Sequence, residues 1–302
     1  MNNELLIVSS SPHIRSKNTT QRIMLDVIIA MLPMLVASVV IFGARAIAVT
    51  AVCVMSCVIF EWGFEMLCKR ESTITDLSAV VTGMLLAFNL PVGIPLWQAA
   101  FGSLVAIVVV KQLFGGIGKN FANPAITARV VLLLSFAGSM SNFATKNDAV
   151  SSATPLSGGT MPSLLHLFLG NHGGSLGETC ALAILIGGAY LLIRRVISWH
   201  IPAVMIGTVA LLTLVLGENP LEHVLTGGLL LGAFFMATDY TTSPSTKWGK
   251  VLFGFGCGAI TVLIRVFGSY PEGVSFAILF MNILTPFLEK WTRKKPFGGA
   301  KQ

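Results

Sequence analysis

Long apolar blocks and short polar clusters alternate along nearly the whole chain. Most blocks hold close to 20 residues, the length with which an α-helix crosses a hydrocarbon layer of about 30 Å. Ten blocks can be marked, at about 24–43, 46–68, 76–93, 95–114, 124–140, 178–194, 197–217, 221–238, 249–267 and 273–289. This pattern predicts an all-α polytopic membrane protein with about ten transmembrane helices.

The third, fourth and fifth blocks are short or interrupted. Asn89, Pro91 and Pro95 separate the third block from the fourth, and Asn123-Pro124 opens the fifth. A proline removes a backbone donor and clashes with the preceding helical turn. We therefore expect half-spanning or broken helices here, as in transporters whose binding sites lie at interrupted helices.

The two halves of the chain share a weak sequence pattern. Residues 81–88 (VTGMLLAF) resemble 225–232 (LTGGLLLG), and the next block of each half repeats the relation around Lys111 and Arg265. Because five spans are an odd number, the second copy enters from the opposite side, which predicts inverted repeats about an axis in the membrane plane. The alternative is convergence of glycine-rich apolar sequence, since small residues let helices approach closely whatever their ancestry.

Composition and charge support a membrane protein with both ends inside the cell. Of the 302 residues, 54% are hydrophobic and 11% charged, against roughly 25% charged in soluble domains. With a cytoplasmic start, all but Arg45, Lys146 and Arg265 of the 20 lysines and arginines lie on the inner side. The positive-inside rule then places both termini in the cytoplasm. The net charge of +7 therefore reflects topology and contact with anionic lipid, and it does not indicate nucleic-acid binding.

This topology divides the chain into five regions. The first 20 residues are polar and carry no secretory signal pattern. The predicted regions are a cytoplasmic N-terminal segment (1–23), a first five-helix repeat (24–140), an external loop (141–177), a second five-helix repeat (178–289) and a basic cytoplasmic tail (290–302).

The external loop contains a hydroxyl-rich run in which Ser151, Ser152 and Ala153 precede Thr154-Pro155-Leu156, with Asp148 further upstream. The run resembles the flavinylation motif of membrane redox subunits, in which a transferase joins FMN through its phosphate to the threonine hydroxyl. A hydroxyl that receives a phosphoester must be exposed, which a loop permits and a span forbids. The alternative is an ordinary Ser/Thr-rich turn.

Three carboxylates lie inside apolar blocks. Asp26 is in the first turns of the first block, and Glu61 and Glu65 lie one helical turn apart on one face of the second. Ionisable groups at such depth face a bundle interior, a cavity or a partner. They are candidates for a cation or proton path. The alternative is structural pairing with nearby cations, namely Arg22, Lys69 or Arg129.

Other cofactor patterns are missing from the sequence. The five cysteines form no Cys-x-x-Cys pair, so we predict neither a metal site nor a disulfide. A Walker loop, a dinucleotide-binding glycine fingerprint and a ferredoxin cysteine pattern are also absent. A channel or transporter for a small polar solute, with a cavity between the ends of the third and eighth spans at Asn89 and Asp239, is the alternative function.

Several segments together carry a family resemblance. They are 10–15 (SSPHIR), 75–78 (TDLS) leading into Thr82-Gly83, 90–91 (LP), 116–125 (GIGKNFANPA), 152–156 (SATPL) and 237–244 (ATDYTTSP). As a set they resemble the D subunits of the Rnf complex, a membrane-bound ferredoxin:NAD oxidoreductase, and the homologous B subunits of the sodium-pumping NADH:quinone oxidoreductase. One departure is Ser152, where the flavinylation motif usually has glycine.

The resemblance implies a function that the residues alone do not give. It implies FMN bound covalently to Thr154 near the external face and a second, non-covalent riboflavin within the bundle. The protein would relay electrons between ferredoxin and NAD together with other Rnf subunits, and the complex would export Na⁺ or H⁺ across the prokaryotic inner membrane. A flavin transferase would attach the FMN. The resemblance also implies kinship to urea-transporter-like folds.

Overall fold

A computed structural model describes residues 19–145, 148–152, 163–170, 172–268 and 273–293, with the backbone alone for 144, 145 and 148–152. The helices of the first half are α1 (Thr20–Phe42), α2 (Ala44–Leu67), α3 (Ser78–Phe88), α4 (Leu96–Leu104, continued by a π-helical turn Val105–Gln112), α5 (Pro124–Ser135) and α6 (Ala137–Met140). Those that follow are α7 (Leu164–Leu169), α8 (Ala181–Ile193), α9 (His200–Val215), α10 (Pro220–Leu225), α11 (Leu229–Leu231, continued by a π-helical turn Gly232–Met236), α12 (Lys247–Phe267) and α13 (Val274–Thr292). A short 3₁₀ turn, Ile74–Asp76, precedes α3.

The long helices lie at the two ends of the chain. Four helices, α1, α2, α12 and α13, are long and apolar enough to cross a membrane, and five further apolar helices have 10–17 residues. Large apolar side chains point outward from this bundle, for example Val40 at 67% and Leu67 at 82% exposure. Because a protein in water rarely leaves so much apolar surface uncovered, the chain is a multi-pass membrane protein.

Short helices fill the centre of the bundle, as the interrupted blocks predict. With 11 residues, α3 rises only about 16 Å, roughly half of a hydrocarbon layer. The amide nitrogen of Asn89, just past the end of α3, lies 3.6 Å from the sulfur of Met236 at the end of α11. Two half-length helices therefore end beside each other within the protein.

The eighth block is broken, although its sequence predicts one continuous span. Residues 226–228 separate α10 from α11, and Gly228 begins α11 with a left-handed backbone (φ 68°). The break frees helix-end carbonyls, and the Arg265 guanidinium donates to three of them, at His223 (2.6 Å), Thr226 (3.0 Å) and Gly227 (2.9 Å). The partly buried Arg265 side chain thus supplies the donors that a continuous helix would have provided.

The same break changes the register of the weak repeat. Thr82-Gly83 lies inside α3, whereas the matching Thr226-Gly227 lies in the gap before α11. Like Gly228, Leu77 (φ 65°), which directly precedes α3, has a left-handed backbone. Sequence similarity aligns residue 82 with residue 226, whereas backbone conformation aligns residue 77 with residue 228. The two alignments of the halves therefore differ by several residues.

The segment before α8 enters the bundle instead of staying outside. Residues 172–179 are all buried. The backbone N–H groups of Leu176 and Gly177 donate to the carbonyls of Leu90 (3.0 Å) and Phe88 (2.9 Å) at the end of α3. The predicted external loop, 141–177, therefore contributes its last residues to the core, because these hydrogen bonds complete the end of a short helix.

The described part of the same loop contains strands, which the all-α prediction omits. Strand β1 (Phe143–Thr145) pairs antiparallel with β2 (Asp148–Ser152), with Phe143 opposite Ser152. Three positions of the predicted flavinylation motif, Asp148, Ser151 and Ser152, therefore lie on β2.

Candidate functional site

A cavity of about 290 Å³ lies between helices of the two halves. This volume is just below the range of about 300–1,000 Å³ found for ligand sites. Its wall comes from α1, α3, the segment before α5, the end of α8 and the end of α11, and includes Ile23, Met24, Val27, Val81, Leu85, Ile117, Phe234 and Phe235. It is thus a largely apolar space to which both halves contribute.

A few polar groups line this cavity. The Asn120 side-chain oxygen is buried and accepts no hydrogen bond from the residues that the structure describes. Asp239 accepts hydrogen bonds from the hydroxyls of Thr241 (3.0 Å) and Thr242 (3.1 Å). Burial is the largest influence on the pKa of Asp239 and raises it. The Asn120 oxygen is therefore available to accept a hydrogen bond from a ligand. The Asp239 carboxylate already accepts hydrogen bonds from the two threonines of its own turn.

A buried ion pair lies at the edge of the cavity. The Lys111 ammonium is 2.7 and 2.8 Å from the two carboxylate oxygens of Glu61, and the two side chains are 2% and 0% exposed. Lys111 also donates to the hydroxyl of Ser78, the first residue of α3. In the π-helical turn the next residue, Gln112, reaches the same carboxylate at 3.0 Å. Wide helical turns of this kind recur at functional sites.

Glu65 shares a threonine with Glu61. The Thr73 backbone N–H donates to both Glu65 carboxylate oxygens (3.2 and 3.3 Å), and the single Thr73 hydroxyl proton is shared between Glu65 and Glu61 (3.1 Å). Thr73 is exposed in the connection between α2 and α3. Hydrogen bonds therefore lead from the surface of this connection to the ion pair behind the cavity.

Asp26 is separate from that network. Its carboxylate accepts from Arg194 at 3.1 and 3.2 Å and from the Tyr190 hydroxyl at 3.0 Å. The Arg194 side chain is 56% exposed. The structure thus pairs Asp26 and Glu61 with Arg194 and Lys111, cations that the sequence analysis did not assign to them.

A second buried cation, Arg129 of α5, lies at the centre of the bundle. One guanidinium nitrogen donates to the Asn89 side-chain oxygen and to the Ser275 hydroxyl, both at 3.0 Å. A β-carbon on Gly228 would lie 3.9 Å from that nitrogen and 2.7 Å from a carboxylate oxygen of Glu178. Arg129, Glu178 and the break before α11 therefore meet at one place.

The sequence analysis missed the roles of Lys111, Arg129 and Glu178. Lys111 entered there only through topology and the weak repeat, and Arg129 only through topology and as a possible partner of the buried carboxylates. The signal was present, because a charged residue inside an apolar block faces a protein interior by default. For the flavinylation motif, Ala153 and Thr154 lie outside the described residues.

Comparisons with known proteins place the chain in a family. The family model described as NQR2, RnfD, RnfE matches residues 7–298. This chain belongs to that family. Its similarity to the D subunits of Rnf complexes, inferred from the motifs, is therefore confirmed.

Individual members of the NQR2, RnfD, RnfE family match over nearly their full length. The chain is 49% identical to the D subunit of the Na⁺-translocating ferredoxin:NAD⁺ oxidoreductase complex of Acetobacterium woodii, covering 100% of this chain and 98% of the relative. It is 40% identical to the D subunit of the proton-translocating ferredoxin:NAD⁺ oxidoreductase complex of Clostridium ljungdahlii, covering 97% and 96%. The D subunit of an ion-translocating oxidoreductase complex of Stutzerimonas stutzeri is 37% identical, with 93% of each chain covered.

Proposed function

We propose that this protein is the flavin-bearing membrane subunit of an ion-translocating ferredoxin:NAD⁺ oxidoreductase. It passes electrons between partner subunits through a non-covalent flavin in the cavity and an FMN on Thr154. The observation that carries the proposal is an apolar, interrupted-helix cavity in a chain whose relatives are subunits of such complexes. Other Rnf subunits are required, because the sequence has no ferredoxin cysteine pattern or dinucleotide-binding fingerprint, so its flavins must exchange electrons with carriers in partner subunits.

The cavity residues fit a riboflavin-type ligand. Its apolar wall, with Phe234 and Phe235, suits the faces of an aromatic ring system. The unpartnered Asn120 oxygen suits a ring N–H, since a buried acceptor without a donor costs about 1–3 kcal/mol. A bound flavin would supply the electron-carrying chemistry at this site. The chain's own residues hold the ligand in place and exclude bulk water.

The proposed FMN attachment rests on the motif that ends in Thr154. Replacing Thr154 with valine keeps the shape of the side chain and removes the hydroxyl on which the phosphoester forms. We expect Thr154→Val to insert normally but to lose all covalent flavin, and Thr154→Ser to keep part of it. In-gel flavin fluorescence of the denatured protein, co-expressed with its transferase, measures this.

Thr160→Val is the matched control for that experiment. Thr160 lies in the same loop but lacks the preceding alanine and the correctly spaced aspartate, so its variant should stay fluorescent. A fluorescent Thr154→Val band would refute the attachment site. A wild-type chain without any flavin would favour a channel or transporter for a small polar solute.

We propose that the coupled ion passes carboxylates on the cytoplasmic side, with Glu61, Glu65 and Asp26 as candidates. The Thr73 link between the surface and the Glu61–Lys111 pair supports the two glutamates. Replacing each residue by its amide should lower ion transport by assembled complexes in vesicles more than it lowers electron transfer. Normal ion-to-electron ratios in all three variants would exclude this path. The same transport measurement, made in Na⁺ buffer and in Na⁺-free buffer, distinguishes Na⁺ from H⁺ as the coupled ion.

We propose that the bundle consists of two inverted repeats of five spans, related to urea-transporter-like folds, in a prokaryotic inner membrane with cytoplasmic termini. The paired left-handed residues Leu77 and Gly228 before two half-length helices support the repeat. Single cysteines introduced into 141–162 of a cysteine-free chain should react with an impermeant reagent in intact cells, and cysteines in 69–75 should react only after lysis. The opposite labelling would reject the topology.

A further inference from the structure

Lys111 is an ammonium held between the cavity and a carboxylate. Lys111 and its hydrogen-bond partner Ser78 both line the cavity, whereas Glu61 does not belong to the wall. Going outward from the cavity, the positive charge therefore comes first and the negative charge second. Because the nearer charge dominates, the pair adds a positive potential to this cavity, which Asp239 also lines, and a low local dielectric strengthens that contribution.

The surroundings fix the orientation of this pair. Ser78 accepts from Lys111 and donates its own hydroxyl proton to Asp76. Gln112 and Thr73 hold the Glu61 carboxylate from other directions. With both partners buried and held in this way, the ammonium keeps its position relative to the cavity whatever the cavity contains.

We propose that Lys111 makes the cavity prefer a reduced flavin to an oxidised one, and that Glu61 limits this preference. The inference rests on the proposed function, in which the cavity takes a flavin. Two electrons that enter the cavity with fewer than two protons add negative charge, and an ammonium at the wall stabilises that charge. They come from a low-potential iron–sulfur donor and leave to the next carrier, so Lys111 forms and breaks no covalent bond. Lys111 acts by placing a positive charge at the cavity wall.

The test measures the midpoint potential of riboflavin bound to the full-length chain in detergent. A Thr154→Val background removes covalent flavin, and flavin absorbance is followed during titration with redox dyes. We expect Lys111→Met to weaken the preference for reduced over oxidised riboflavin at least tenfold. For a two-electron couple, a tenfold change lowers the midpoint potential by about 30 mV. Glu61→Gln should shift the potential in the opposite direction, because it leaves the positive charge uncompensated.

Two further variants separate charge from structure. Lys111→Arg keeps the positive charge and should stay near the parent potential. Lys111→Met combined with Glu61→Gln removes both charges and should lie between the two single variants. If Lys111→Met does not fold, the upward shift in Glu61→Gln still tests the sign.

The outcomes distinguish the two proposals. Shifts of the same sign in both single variants, or an unchanged potential in Lys111→Met, would overturn the role of Lys111 while leaving the flavin site intact. A parent chain that binds no riboflavin would overturn the cavity assignment, and the role of Lys111 with it.

Discussion

Two buried cations, Lys111 and Arg129, are stabilised in different ways. Lys111 forms a direct ion pair with Glu61, at 2.7 and 2.8 Å. Arg129 donates to the neutral side chains of Asn89 and Ser275. The first arrangement holds a charge at the wall of the cavity. The second joins the end of α3 to α5 and α13.

The carboxylates beside these cations differ in the number of hydrogen bonds that they accept. Glu61 is bonded by Lys111, Gln112 and Thr73. Glu178 is 5% exposed, and one of its oxygens accepts from the Ser175 N–H at 3.0 Å. Its other oxygen has no hydrogen bond to the residues that the structure describes. Neutralising the two glutamates should therefore have unequal costs.

Breaking the Glu61–Lys111 pair should have the largest effect. Lys111→Met leaves a carboxylate buried without its cation, and removing one partner of a buried pair costs about 3–5 kcal/mol. Adding Glu61→Gln to Lys111→Met should recover most of that loss. SDS titration in mixed micelles measures the free energy of unfolding, and a double variant no more stable than Lys111→Met would contradict a direct pair.

The left-handed residues Gly228 and Leu77, which precede the two half-length helices, should respond in different ways to substitution. Gly228→Ala places a β-carbon 2.7 Å from the Glu178 carboxylate at φ 68°, and a left-handed alanine costs about 1–2 kcal/mol before the contact is counted. We expect a loss of about 2 kcal/mol in the same titration.

Leu77→Gly is the matched substitution before α3. It relieves the left-handed strain at φ 65° and removes a partly buried side chain, so the effects oppose each other. We expect a change within about 1 kcal/mol. Equal losses in Gly228→Ala and Leu77→Gly would show that the two positions are not distinguished by backbone strain.

Glu178→Gln should have a smaller effect than the loss of the Lys111 pair. The amide oxygen can still accept from the Ser175 N–H, so one ordinary hydrogen bond is retained. We expect a change of about 1 kcal/mol or less in the free energy of unfolding. A loss as large as that of Lys111→Met would show that Arg129 depends on Glu178 as its counter-charge.

Asp26→Asn should have the smallest effect on stability. Its partner Arg194 is 56% exposed, and water and salt screen ion pairs of this kind. The unfolding curve should overlay that of the wild type. A clear shift toward lower SDS would show that Asp26 contributes to the bundle through a contact other than Arg194.

The sequence predicts the periodic features of the fold better than its interruptions. Blocks of about 20 apolar residues indicate helices, and Asn123-Pro124 marks the start of α5, where the Asn123 side chain caps the helix. The break before α11 contains no proline, and it is stabilised by Arg265, 38 residues further along. Such a partner depends on three-dimensional packing, which periodicity does not encode.

The candidate site was predictable to a similar extent. Membrane depth identifies Glu61 as a residue that faces the interior, but its pairing with Lys111 depends on how α2 packs against the π-helical turn after α4. Asn120 and Asp239 belong to segments that carry the family resemblance. That they share one cavity wall follows from the packing of the two halves.

The central claim is that one chain carries two flavins, one covalent and one in the cavity. Acid precipitation of the full-length protein, purified with its transferase co-expressed, separates them into pellet and supernatant. We expect wild type to show FMN in the pellet and riboflavin in the supernatant, Thr154→Val to lose only the pellet flavin, and Asn120→Leu to lose only the supernatant flavin. Wild-type protein with no flavin in either fraction would contradict the account.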